Sequence, residues 1–228
     1  MKNIVIGIEG LVGSGKTSIC RELLKYIPNS MILHGGNLYR GIIYALMQNA
    51  KEIDINNLKE NIQNIDIKEL MDKLKVKFQL ENRESVIYVN SKKIDEEKLQ
   101  SKEASLAVSI AGSNADNSHL YVFARNLINM YKEKFNVIVS GRDLMKIYPD
   151  LDYHLFITAD LDERVKRKMI QYGEKANEKE IRENIEKRDK LQKQAGYYNK
   201  YDNTIEIDVT NCKNIEESTK KVLEHIKY

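Results

Sequence analysis

The stretch NIVIGIEGLVGSGKTSICRELLKY, residues 3–26, decides the architecture. Asn3 to Glu9 is a short run rich in β-branched residues, the pattern of a buried strand. Lys16 to Tyr26 then sets Ile19, Leu23 and Tyr26 at helical spacing. Between them Gly10, Gly15, Lys16 and Thr17 complete the pattern GxxxxGK[ST]. A glycine turn with a solvated lysine is the bland alternative, disfavoured because strand and helix flank the turn in register. In a phosphate loop, backbone N–H groups face phosphate oxygens and the helix N-terminus adds partial positive charge. Gly10, Leu11, Val12, Gly13, Ser14, Gly15, Lys16, Thr17 and Ser18 are then the nucleotide-binding residues. Lys16 reaches the β- and γ-phosphates, and the Thr17 hydroxyl ligates Mg2+.

Outward from this loop, strand and helix alternate. Ser30 to Leu33 reads as a strand, and Leu38 to Asn49 and Asn56 to Lys75 as helices. The period then changes to two, with Val76, Phe78 and Leu80 alternating with polar residues. The polar turn Glu81 to Glu84 and the run Ser85 to Asn90 complete a hairpin, with a third short strand near Ile94. Glu103 to Tyr131 returns to helix, in two pieces broken around Gly112 to Asn117. Phe135 to Val139 and His154 to Thr158 are short apolar runs, as in buried parallel strands. Charged helices over Asp162 to Tyr172 and Glu178 to Lys193 precede a strand at Thr204 to Val209 and a helix from Ile215. This order predicts an α/β protein of three layers around a parallel sheet.

Composition bounds the function. With 228 residues, 42% of them apolar, the chain is expected to be one domain, 1–228. The 37 Lys and Arg nearly balance 34 Asp and Glu, and a net charge of +3 argues against a nucleic-acid arm. Two cysteines fit no metal spacing and point to a reducing, cytoplasmic setting. The only apolar stretch at the start, Ile4 to Ile8, is too short for a membrane span or a signal-peptide core. No membrane partner is expected. Asn199, Lys200 and Asp202 spell NKxD, as in guanine-binding switches, but they follow a polar and aromatic stretch where a buried strand is required. The match is read as accidental.

The fragments in order resemble the bacterial cytidylate kinases, of the nucleoside monophosphate kinase family, over nearly the whole chain. They are IGIEGLVGSGKTS (Ile6 to Ser18), LHGGNLYR (Leu33 to Arg40), EASLAVS (Glu103 to Ser109), SGRD (Ser140 to Asp143), YPDLDYHLFITADLDERVKRK (Tyr148 to Lys168), KRD (Lys187 to Asp189) and IEIDVTNCKNIEES near the end. The resemblance implies a P-loop NTPase fold with a small antiparallel-hairpin NMP-binding insert (50–102) and a helical lid (about 163–196). It implies a monomeric enzyme that uses ATP and Mg2+ and takes a small-molecule nucleoside monophosphate, CMP or dCMP. A related kinase with another small acceptor, or a non-catalytic ATP-binding regulator, are the alternatives. Gly36, Tyr39, Arg40, Ser109, Arg142 and Asp143 match acceptor-binding positions. Phosphoryl transfer joins two polyanions, so its catalysis is positioning and charge neutralisation. Lys16 with Arg164, Arg167 and Arg188 is the expected catalytic set, and Lys168 shares the helix face of the first two arginines.

Departures from the family cluster on the acceptor side. His34 and Gly35 stand where the family has Asp and Ser or Thr, and Ser140 where it has an acid. Ser118 marks the region of a missing arginine, with Arg125 a turn or two on, and Gln192 and Ala195 replace Asp and Arg. His34 could replace the missing aspartate. Glu9, where the family has Asp, either orients the magnesium shell or caps a strand. Tyr197, Tyr198 and Tyr201 either stack on a base or pack the loop. His119, His154 and His225 are read as ordinary residues, and Cys20 as a small apolar side chain.

Overall fold

The computed structural model describes residues 2–37, 40–41, 72–73, 75–95, 99 and 118–228. Most of the helices expected over 38–49 and 56–75, and the first piece of that from 103, lie outside the described residues. So do Tyr39 and Ser109.

Strand β1 (Val5–Gly10) is buried along its whole length and forms the middle of the sheet. It runs parallel to β6 (Asn136–Ser140) on one side and β7 (Tyr153–Thr158) on the other, and β2 (Ser30–His34) and β8 (Thr204–Asp208) extend the parallel array. These strands read as unbroken apolar runs because helices cover both faces. One face carries α1 (Lys16–Leu23) and α6 (Ile215–Leu223), whose Ile19, Leu23 and Val222 pack on Ile6, Ile8, Ile138 and Ile157. The other carries α2 (Ser118–Lys132) and α3 (Leu144–Ile147), with Ile128 and Leu144 against Val5, Leu33 and Val139. The three layers and parallel sheet are those that the sequence order predicts.

The expected hairpin is β3 (Lys77–Glu81) and β4 (Glu84–Val89), with β5 (Lys92–Lys93) beyond it. Its turn has Asn82 and Arg83 both at positive φ, 48° and 67°, the mirror-image turn that matches strand twist. The hairpin joins the main sheet, where β4 lies parallel to β2. Arg83 fastens it: the guanidinium donates to the carbonyls of Ser30 and Leu24, and its own carbonyl accepts from Ile32 N–H at 2.8 Å.

Helices α4 (Leu161–Tyr172) and α5 (Glu178–Gln194) follow β7, joined by a 3-10 turn at Gly173–Lys175. Asn177 caps α5 by accepting from Glu180 N–H. Val165, Ile181, Ile185 and Val12 form a separate small core, which seats this helix pair on the phosphate loop. Helix α1 stops at Leu23, short of the expected Tyr26, as the chain tightens into three-residue turns ahead of Pro28.

Candidate active site

The carboxyl ends of β1, β2, β6 and β7 lie side by side, as the registers Ile8 with Ser140, His34 with Ser140 and Gly10 with Ile157 require. Open α/β sheets bind ligands at that edge. The glycine turn fills its centre. Gly10 has φ of 145°, and a Cβ there would come within 2.0 Å of the Ile157 carbonyl oxygen, so no other residue fits. Gly13 and Gly15 are also left-handed, at φ of 80° and 94°.

Cations hold the carbonyls of this turn. Lys16 Nζ donates to Gly10 and Leu11 oxygens at 2.8 and 2.7 Å. Arg164 Nη1 donates to Val12 O at 3.0 Å, and Arg167 Nη1 to Ser14 O at 3.1 Å. Arg167 also reaches Val209 O and pairs with Glu163, while Arg164 pairs with Asp189. The N–H groups of Leu11, Val12 and Ser14 are bonded within the protein, to Ile157 O, Asp189 Oδ1 and Leu11 O, so an incoming anion is left the later amides of the turn and the first turn of α1.

The remaining cations face a common basin. Burial, then Arg142 and Arg188, hold the Lys16 ammonium well below its usual pKa. Burial and Arg142 push Arg188 down to about 10, and burial, Arg188 and Arg40 push Lys168 down to about 8. Among the described residues the buried Nε atoms of Arg142 and Arg188 have no hydrogen-bond partner. Lys168, Lys187 and Arg188 also line a cavity of about 300 Å³ between α4 and α5, whose wall includes the carboxylates of Glu180 and Glu183 as well as Val12. Like charges crowded in a cleft disfavour one another, and a polyanion relieves all of them at once.

The acceptor-side positions are more occupied by protein. Arg40 Nη1 lies 3.4 Å from Asn37 Oδ1, and Gly36 leaves open space beside that guanidinium. Asp143 is buried at left-handed φ of 56°, accepts from Tyr121 O–H at 2.5 Å and pairs with Lys146. Its carboxylate caps no helix, since it makes no bond to the α3 backbone. His34 Nε2 meets Glu84 Oε2 at 2.7 Å, and Arg21 Nε donates to both Glu84 oxygens. These two partners draw Glu84 down to about 2. Gln192 is buried against the Tyr198 hydroxyl. Arg125 donates to the carbonyls of Lys146 and Ile147, tying α2 to α3.

Several partnerships escape sequence reading. Glu9 spends both oxygens within the protein, on Leu144 N–H and on His154. It therefore caps α3, and His154 is a buried partner of a carboxylate. Tyr198 packs edge-on to Phe156 and Tyr201 edge-on to His154, so both fill the loop after α5. Lys200, from the NKxD match, pairs from that loop with Glu206 of β8. Asp189, inside the KRD fragment, receives Val12 N–H, Arg164 and the Tyr198 hydroxyl. In the sequence it is marked by its place in that fragment, next to Arg188.

Thr17 is half-buried in the first turn of α1. Among the described residues no group of three His, Cys, Asp or Glu side chains forms a metal cage. That donor set fits Mg2+ carried in on nucleotide phosphates, since this ion keeps several waters and needs few protein ligands. Among the described residues no helix is long and apolar enough to cross a membrane.

The family model described as cytidylate kinase matches residues 6–228. The chain is 31% identical to a cytidylate kinase of Clostridioides difficile over 99% of both chains. It is 24% identical to that of Halalkalibacterium halodurans, over 100% of this chain and 99% of the relative. Among solved structures, the shikimate kinase of Bacteroides thetaiotaomicron aligns over 97% of this chain and 96% of its own, at 14% identity and a TM-score of 0.45.

Proposed function

This chain belongs to the cytidylate kinase family, and from that premise we propose that it transfers the γ-phosphoryl group of ATP to CMP or dCMP. The products are ADP and CDP or dCDP. The observation that carries this reading is the basin itself. Lys168 and Arg188 line it, the charges of Arg142 and Lys16 act on Arg188 and on each other, and among the described residues no carboxylate pairs with Arg142 or Arg188.

In the reaction an oxygen of the acceptor phosphate bonds to the γ-phosphorus as the bond to the β-γ bridging oxygen breaks. Little covalent chemistry is asked of the protein. The phosphate-loop amides orient the donor, and Lys16 moves onto the phosphates. Arg188 and Lys168, from α5 and α4, neutralise charge on the transferring group, and Arg40 and Arg142 receive the acceptor phosphate. Helices α4 and α5 form the lid, and its closure excludes water. Thr17 would hold Mg2+, which when bound screens charge between the β- and γ-phosphates. Arg164 and Arg167 act one step back, by holding loop carbonyls.

A second reading, a different small acceptor, draws on two observations. His34 is engaged by Glu84, and Gln192 by Tyr198. Both readings are tested by ADP release from MgATP with CMP, dCMP, UMP, AMP, GMP or dTMP, with Lys16→Ala as the blank. Stimulation by CMP and dCMP is expected. Stimulation by another acceptor alone supports the second reading, and none at all overturns both.

A further inference from the structure

Asp189 sits on α5, yet its carboxylate reaches the phosphate loop. Its Oδ1 accepts from Val12 N–H at 3.1 Å, and its Oδ2 from Arg164 Nη1 at 2.5 Å. The same Arg164 nitrogen donates to Val12 O. Both polar backbone atoms of Val12 are thus held by two side chains that are also paired with each other, one from α4 and one from α5. Val12 is the residue before Gly13, where the loop turns left-handed and has no side chain of its own to fix it. The ring of bonds supplies that constraint from outside.

We propose that Asp189 is a positioning residue for the donor nucleotide, tethering α5 to the phosphate loop so that the loop amides stay aimed at the phosphates. This rests on the reading that the loop holds ATP. The tether has a brace: the Tyr198 hydroxyl lies 2.5 Å from Asp189 Oδ1 and 2.7 Å from Gln192 Oε1. The phenol has one proton and gives it to the carboxylate, and the Gln192 amide, turned over, satisfies the other contact. Burial and Asp189 push the Tyr198 phenol up, so it remains a donor. Arg188 is the preceding residue, about 100° round the helix. When Asp189 engages the loop, Arg188 is therefore directed to the basin, and one contact sets both loop shape and lid cation. The tether itself, Asp189 with Val12 and Arg164, involves none of residues 34–36 or 142–143, and only the brace touches an acceptor-side position, Gln192, so the effect of Asp189→Asn belongs to the donor.

The experiment measures the Kd of a fluorescent ATP analogue with Mg2+ and no acceptor, then KM for ATP and for CMP, in the intact chain. Asp189→Asn loses the charge-assisted bonds but keeps an oxygen for Val12 N–H. Its donor Kd and ATP KM are expected to rise about tenfold, with CMP KM changed less than about threefold. Tyr198→Phe removes only the brace, and a smaller rise in donor Kd, about twofold to fivefold, is expected. Should Asp189→Asn fail to fold, Tyr198→Phe carries the test. Unchanged donor Kd in a folded variant, or equal losses for donor and acceptor, overturns the proposal. Donor binding by the wild type without CMP turnover would count against the proposed reaction and leave this test intact.

Discussion

Glu9 Oε2 lies 2.9 Å from His154 Nε2, across the neighbouring strands β1 and β7, and both residues are buried. The other Glu9 oxygen accepts from Leu144 N–H at 2.7 Å, and His154 Nδ1 lies 2.8 Å from Thr204 Oγ1. A carboxylate at the mouth of the phosphate loop is thus committed to the fold. It pins the turn through Arg142 and Asp143, and with them the acceptor side of the site.

Removing one member of such a pair leaves the other buried without compensation. Glu9→Ala is expected to lower unfolding free energy by about 3 kcal/mol, read from urea denaturation. The Mg2+ concentration for half-maximal activity should stay where it is in the wild type. A large shift in that concentration with little loss of stability would place Glu9 in the metal's surroundings.

Lys16→Ala should leave melting close to that of the wild type, because among the described residues the lysine bonds to the Gly10 and Leu11 carbonyls alone and its charge is disfavoured by burial. Turnover should fall by about 10²- to 10³-fold or more. Near-normal turnover would remove the phosphate loop from the mechanism.

Lys168 titrates at about 8 in the folded chain, against 10.5 when free of the fold. Between those values the folded state holds fewer protons than the unfolded one, so this group makes the ligand-free protein more stable as pH rises through that window. Phosphate affinity moves the opposite way, because the cation is lost. The alkaline fall in kcat/KM for ATP should begin near pH 8, and Lys168→Arg should move it upward by at least about half a pH unit, since a guanidinium stays charged. An unmoved limb would show that another group titrates there.

Glu84 is drawn down to about 2 by His34 and Arg21. A depressed carboxylate contributes stability that is complete above its unfolded value of 4.5 and is lost as pH falls from there towards 2. Glu84→Gln should therefore cost about 2 kcal/mol near neutral pH, and the cost should shrink below about pH 4. Thermal melting across pH 3–7 checks it, and a cost that does not depend on pH would exclude the charge as its source.

Sequence reading reached the framework because its signals are local. The apolar runs behind β6 and β7, the alternation at Phe78 and Leu80 and the glycine turn after β1 each declare themselves within a few residues. Helix α3 does not, since four residues are too few for a helical period and its support comes from Glu9 and Arg125, far away in the chain. The Glu9–His154 pair spans 145 positions. Spacing also put Arg164, Arg167 and Lys168 on one face correctly, but it cannot tell a cation that serves a carbonyl from one that serves a phosphate. That distinction depends on where Val12 and Ser14 turn their oxygens.

The resting position of Lys16 has a consequence for ligand choice. Its ammonium already donates to two carbonyls, so phosphate entry is an exchange of partners and gains only the difference between them. A single small anion offers little over what it displaces. A chain of linked phosphates, which meets the loop amides while it draws the lysine away, offers much more. The loop thereby discriminates against lone inorganic phosphate or sulfate, and its affinity should rise steeply with each phosphate added to the ligand.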